Sequence, residues 1–154
     1  MQAGSGQGKM AVVGLSWKEA QTAISPYGDR LSVAANNSPR ATVISGETGA
    51  LAEVVQLLEQ RAVPIRMLEV DYAFHSAQMA PYQDELEAAL GDFAPDVGRV
   101  PMISTVTGRS RAAKDFDRSY WGRNIREPVR FAEAISECVR LGYRDFLEIG
   151  PHAV

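Results

Sequence analysis

The order of short apolar runs in the first seventy residues constrains the fold more than any other feature of this 154-residue chain. Residues 10–15 (MAVVGL) read as a strand. Ser16 then caps a short helix that runs to Ile24, because Glu19 stands three residues on and completes a capping box. Pro26 to Gly28 ends that helix. Residues 31–35 form a second strand, Asn37-Ser38-Pro39 a turn, and residues 41–45 a third strand. Thr48 opens a longer helix with Leu51, Val54, Val55 and Leu58 at helical spacing, and residues 63–70 return as a strand. The order β-α-β-β-α-β predicts a split βαβ, ferredoxin-like unit: an antiparallel sheet with two helices on one face, closing by about residue 70.

The rest of the chain has a different pattern. Met79, Leu86 and Leu90 share one face of a helix that stops at Gly91. Residues 100–106 (VPMISTV) predict a buried strand ending at Thr107-Gly108. A charged loop, residues 109–118, leads to Tyr120-Trp121, read as packing anchors. A helix over residues 128–141 follows, with Pro128 in its first turn, where a missing N–H costs nothing. Residues 146–149 predict a last strand, broken by Gly150-Pro151. Alternating helices and strands predict an α/β layer with a parallel sheet. Two strands cannot cover their own faces and edges, so residues 71–154 read as the carboxy-terminal portion of a larger α/β subdomain that follows the unit of residues 1–70.

Composition excludes several classes. A net charge of -3 with both signs interspersed offers no basic face for nucleic acid. No run approaches the roughly 18 apolar residues that span a bilayer, and no signal peptide is present, so a cytoplasmic protein that contacts no membrane is expected. Cys138 is the only cysteine; its apolar neighbours predict a buried, inert thiol. No pair of His, Cys or carboxylates has metal-ligand spacing. Gly4-Ser5-Gly6-Gln7-Gly8 precedes a strand where a dinucleotide fingerprint would follow one, and there is no Gly-x-Ser-x-Gly elbow to present a nucleophilic serine. No permanently bound cofactor is expected.

Of the two histidines, His75 is the informative one. It stands in Asp71-Tyr72-Ala73-Phe74-His75-Ser76, between an apolar strand and an amphipathic helix, a junction where catalytic side chains commonly sit. The nearby helix amino terminus is expected to keep the imidazole neutral. On position alone, a structural histidine and a catalytic base both fit. His152, after Gly150-Pro151, reads as a turn residue.

Tyr72-Ala73-Phe74-His75-Ser76 followed by Met79 resembles the specificity motif of acyltransferase domains in modular polyketide synthases, relatives of the bacterial malonyl-CoA:acyl-carrier-protein transacylases. Five further segments resemble that family in order. They are Gly6-Gln7-Gly8-Lys9-Met10; Asn37-Ser38-Pro39 with Val43-Ile44-Ser45-Gly46; Pro101 with Ser104-Thr105-Val106-Thr107-Gly108; Tyr120-Trp121 with Asn124, Arg126, Pro128-Val129 and Phe131; and Glu148-Ile149-Gly150-Pro151-His152. The resemblance implies an α/β-hydrolase-like subdomain carrying a ferredoxin-like insertion. It implies ping-pong acyl transfer from malonyl-CoA or a related coenzyme A thioester, through a serine, to the phosphopantetheine thiol of an acyl carrier protein. His75 matches the family's base, and Asn124 the position whose main-chain carbonyl orients the imidazole. Tyr72 and Phe74 match substrate-selecting positions. From its own residues, Asn37 fits either the mouth of the substrate pocket or, before Ser38-Pro39, ordinary turn chemistry. The serine and the arginine that pairs with the substrate carboxylate would lie in an amino-terminal segment before Met1. Arg40, Arg66, Arg123 and Arg126 match neither and read as solvent-facing or structural. The chain alone is therefore expected to be inactive. The hybrid motif Tyr-Ala-Phe-His leans toward malonyl over methylmalonyl units, because Phe74 crowds an α-methyl group. The alternative function is non-catalytic, with the ferredoxin-like unit docking a carrier protein or synthase domain.

Overall fold

The computed structural model describes residues 8–149. Gly6-Gln7 of the first matched segment and Gly150-Pro151-His152 of the last therefore lie outside the described residues. The elements are β1 (Gly8–Val13), α1 (Trp17–Ile24), β2 (Leu31–Ser38), β3 (Ala41–Glu47), α2 (Thr48–Glu59), β4 (Ile65–Met67), α3 (Ala80–Leu90), β5 (Met102–Ser104), β6 (Arg109–Arg111), α4 (Arg118–Arg126) and α5 (Phe131–Arg140). Strands β2-β3-β1-β4 form one sheet in that order, with every neighbouring pair antiparallel.

Alternation along the strands sends side chains to two faces. Ala11 and Val13, Leu31 and Val33, and Ile44 meet Ala20 and Ile24 of α1 and Leu51, Val54 and Leu58 of α2. Burying the valine, leucine and isoleucine side chains among these is worth about 1.5–3 kcal/mol each, which makes this face the main core. The capping box at the start of α1 is present, with Ser16 accepting from the Glu19 N–H and the Glu19 carboxylate accepting from the Ser16 N–H at 2.8 Å. The opposite face, with Met10, Ala35 and Val43, is covered by Leu68, Val70, Phe74 and Val129. The segment after β4 is thus laid across the sheet, and that packing positions His75.

The strands differ from expectation in detail. β2 runs on to Ser38 through two bulges, so Asn37 is a strand residue and the turn falls at Pro39-Arg40. β4 is short, although the Gly14 N–H donates to the Pro64 carbonyl at 2.8 Å and the Leu68 N–H to the Met10 carbonyl at 2.9 Å, one at each end of it.

The second half departs further. Where residues 100–106 were expected to join a parallel sheet, β5 pairs antiparallel with β6, taken from the stretch read as a charged loop. α4 was not expected; Tyr120 and Trp121 lie on it and pack against Phe116 and Val106. Pro128 does not open a helix. The chain there is extended, and Val129 pairs with the β2 edge, its N–H donating to the Ala34 carbonyl and its carbonyl accepting from the Asn36 N–H, both at 2.8 Å. An edge position suits the stretch, since the proline N–H is not needed there. α5 begins only at Phe131. Residues 146–149 form no strand, and Leu147 and Ile149 are 86% and 92% exposed. No neighbouring strand among the described residues is available to pair with them. Cys138 is half-buried, not enclosed as expected.

Candidate active site

His75 sits on a turn that leads from the covered sheet face into the 3-10 turn Ala77–Met79 and α3. Its φ is +55°, in the left-handed region that non-glycine residues enter only when their surroundings hold them there. Those surroundings are specific. The His75 N–H donates to the Ile125 carbonyl at 3.3 Å, and the ring Nδ1 lies 2.9 Å from the Glu127 carbonyl oxygen. Ser76, 3% exposed, donates from Oγ to the Ala73 carbonyl at 2.6 Å and accepts from the Gln78 N–H at 3.2 Å. One hydroxyl thereby closes the turn behind the histidine and caps the helical turn in front of it.

A carbonyl can only accept, so in the neutral ring Nδ1 carries the hydrogen and Nε2 presents its lone pair. The residue that fixes this tautomer is Glu127, three positions beyond the Asn124 singled out by the resemblance. The Asn124 main chain acts on the ring as well, less strongly. The signal for Glu127 was in the sequence: a residue before proline is driven out of the helical region. Glu127 has φ -76° and ψ 156°, so it ends α4 and turns its carbonyl away from the helical ladder.

Burial lowers the His75 pKa below its ordinary value, against the raising effect of the Glu127 and Asn124 carbonyls. The neutral ring was expected from a helix amino terminus. The contact is instead with the carboxy-terminal carbonyls of α4, whose dipole favours the imidazolium. Burial overcomes this.

Two cavities meet at His75. One, about 590 Å³, is lined by Phe74, Met79, Tyr82, Leu86, Asn124 and His75 itself. The other, about 760 Å³, runs between Trp17, Asp29 and Ser32 on one wall and Arg123, Arg126 and Glu127 on the other. Tyr72 stacks obliquely on Phe74, with centroids 5.6 Å apart, and lines neither cavity. Asn37 is exposed near the end of β2 and also lines neither. Its neighbour Asn36 is the one engaged, through Nδ2 donating to Glu133 at 3.1 Å. The structure thus brings His75, Phe74 and Asn124 together, adds Glu127, Ser76 and two arginines, and leaves Asn37 apart. No group of three or more His, Cys, Asp or Glu among the described residues could hold a metal ion.

The acyl transferase domain family matches residues 1–154. The chain belongs to that family. Erythronolide synthase EryA2 of Saccharopolyspora erythraea is 43% identical over 154 residues, which is all of this chain and 4% of that protein. The acyltransferase domain from module 8 of the salinomycin polyketide synthase is 38% identical with a TM-score of 0.87, over 91% of this chain and 33% of that one. A loading acyltransferase from the avermectin modular polyketide synthase is 34% identical with a TM-score of 0.92, over 99% of this chain and 49% of that one. The acyltransferase-family chain therefore spans less than half of either solved relative. No helix among its described residues is long and apolar enough to cross a membrane.

Proposed function

We propose that this chain supplies the histidine side of a serine–histidine acyltransferase that moves malonyl-type units from coenzyme A to the phosphopantetheine thiol of an acyl carrier protein. The observation that carries the reading is the imidazole of His75, anchored through Nδ1 on the Glu127 carbonyl with Nε2 left as the base, at the junction of two cavities. A serine from polypeptide outside this sequence attacks the thioester carbonyl while Nε2 takes its proton. The C–S bond then breaks, and the imidazolium returns the proton to the coenzyme A thiolate. In the second half-reaction Nε2 takes the proton of the phosphopantetheine thiol, which attacks the serine ester, and gives it back to the departing serine oxygen. The Glu127 carbonyl does the orienting work that a carboxylate does in serine proteases.

In this reading residues 1–70 are the ferredoxin-like small subdomain and residues 71–154 the carboxy-terminal part of an α/β-hydrolase-like large one. The β2-β3-β1-β4 order of the antiparallel sheet and the packing of α1 and α2 on one face support the first assignment. Phe74, which lines the apolar cavity beside His75, favours malonyl over a branched unit. One methyl group is worth only about 1–3 kcal/mol, so the preference is modest.

The test is acyl loading from radiolabelled malonyl-CoA onto the chain alone and onto the chain mixed with a serine-bearing acyltransferase segment. No label on the chain alone and His75-dependent label on the serine in the mixture is the expected result. Stable label on this chain alone would overturn it.

A further inference from the structure

We infer that Arg123 and Arg126 form an anion subsite for the phosphate at the end of a pantetheine arm. The identity of the ligand rests on the acyltransferase reading above; the site itself rests on the geometry. The two arginines are three residues apart on α4 and so share one face, and both line the cleft that reaches His75. Arg30, Arg109, Arg111 and Arg140 each pair with a carboxylate. Arg123 and Arg126 pair with none among the described residues, although Asp29 and Glu127 line the same cleft. Arg126 reaches only the neutral Gln83 amide oxygen, at 3.5 Å from Nη1. Two guanidinium forks are thus left with unused donors in a concave site, the arrangement that suits the oxygens of a phosphate.

Position decides which anion. Arg123 is one helical turn before Glu127, the residue that grips the imidazole, so about 6 Å separates their Cα atoms along the helix. Arg123 is half-buried and Arg126 exposed, which sets the pair along a line from the cleft interior to solvent. An anion held there is offset from the reacting nitrogen toward the cleft mouth. That fits the phosphate of an arm whose thiol end lies at His75, and it does not fit a carboxylate carried on the acyl group itself, which must sit inside the pocket. Coenzyme A and a carrier-protein arm share this phosphate chemistry.

The experiment is calorimetric titration of the chain with 4′-phosphopantetheine, pantetheine and malonate, repeated for R123Q and R126Q after circular dichroism shows that both variants are folded. Phosphopantetheine is expected to bind roughly tenfold more tightly than pantetheine. Each variant is expected to remove most of that difference and leave pantetheine binding unchanged. Equal affinity for the two ligands, or variants that leave the difference intact, would overturn the subsite. Malonate competing as well as phosphopantetheine would overturn the phosphate assignment in favour of a carboxylate site. Coenzyme A and a phosphopantetheinylated carrier protein, titrated separately, distinguish the sources: arginine-dependent binding of either supports the site, and of neither overturns it. Arginine-dependent phosphate binding without His75-dependent transfer in the loading assay would sink the catalytic reading alone, and the reverse pattern would sink the subsite alone.

Discussion

The sheet layer of residues 8–67 and the region of residues 97–149 contain apolar runs of similar strength, and they come out very differently. In the first, β1 has hydrogen-bonded neighbours on both sides, and α1 and α2 close one face, so Ala11, Val13, Ile44 and Leu51 are fully buried. In the second, Val97, Val100, Leu147 and Ile149 are 75–92% exposed, and the one β-pairing between named strands there is a hairpin of three residues a side. An apolar run becomes a core strand only when its backbone groups and its side chains both find partners. His75 lies at the boundary. It leaves the first region on a segment packed against the sheet and is gripped by carbonyls from the end of α4.

The largest effect that separates the two regions is a single substitution made in each. Leu51→Ala, at a fully buried site, is expected to cost roughly 2–5 kcal/mol in urea unfolding, whereas Leu147→Ala, at 86% exposure, is expected to change stability by less than about 0.5 kcal/mol. Equal costs would abolish the distinction. Ser76→Ala, at the junction, loses a turn-closing bond and a cap and is expected to cost about 0.5–2 kcal/mol while shifting the His75 ring resonances. A stability loss with unmoved His75 signals would mean that Ser76 does not position the base.

pH sharpens the same boundary. Burial holds the folded-state pKa of His75 below its unfolded value of about 6.5. Above that pH both states are neutral and His75 contributes no slope. As pH falls below it, the unfolded chain binds the proton first, so stability declines until the folded-state pKa is passed and is then flat. His75→Gln is expected to remove that decline, and its persistence in the variant would assign it to other groups. The smallest effect concerns the exposed Arg30–Glu47 pair, which ties the start of β2 to the end of β3: Arg30→Ala is expected to shift the urea midpoint only slightly, and less in high salt.

What the sequence disclosed follows the same division. Local signals sufficed where one element specifies itself: Ser16 and Glu19 marked α1, and the spacing of Leu51, Val54 and Leu58 marked the buried stripe of α2. They failed where structure depends on a distant partner. α4 is strongly charged and carries Gly122 in its interior, and neither is a helix signal. A Cβ at Gly122 would meet the Glu87 side chain of α3, so the glycine sits where α4 packs closely on α3, and the helix is specified by that packing. Residues 146–149 have strand composition but no neighbouring strand among the described residues. For the site, motif order led to His75 and to Asn124, whose main chain does act on the ring, while the Glu127 carbonyl that contacts Nδ1 was not anticipated. A backbone contact leaves no mark on residue type, except through Pro128, which dictates the conformation of the residue before it.

The claim on which the account turns is that His75 is held as a neutral base with its hydrogen on Nδ1 and its lone pair on Nε2. Nitrogen-15 NMR of the imidazole in the intact chain, followed from pH 8 downward, tests it directly. A dominant Nδ1–H tautomer whose protonation midpoint lies below about 6.5 is expected. A dominant Nε2–H tautomer, or a midpoint above that value, would contradict it.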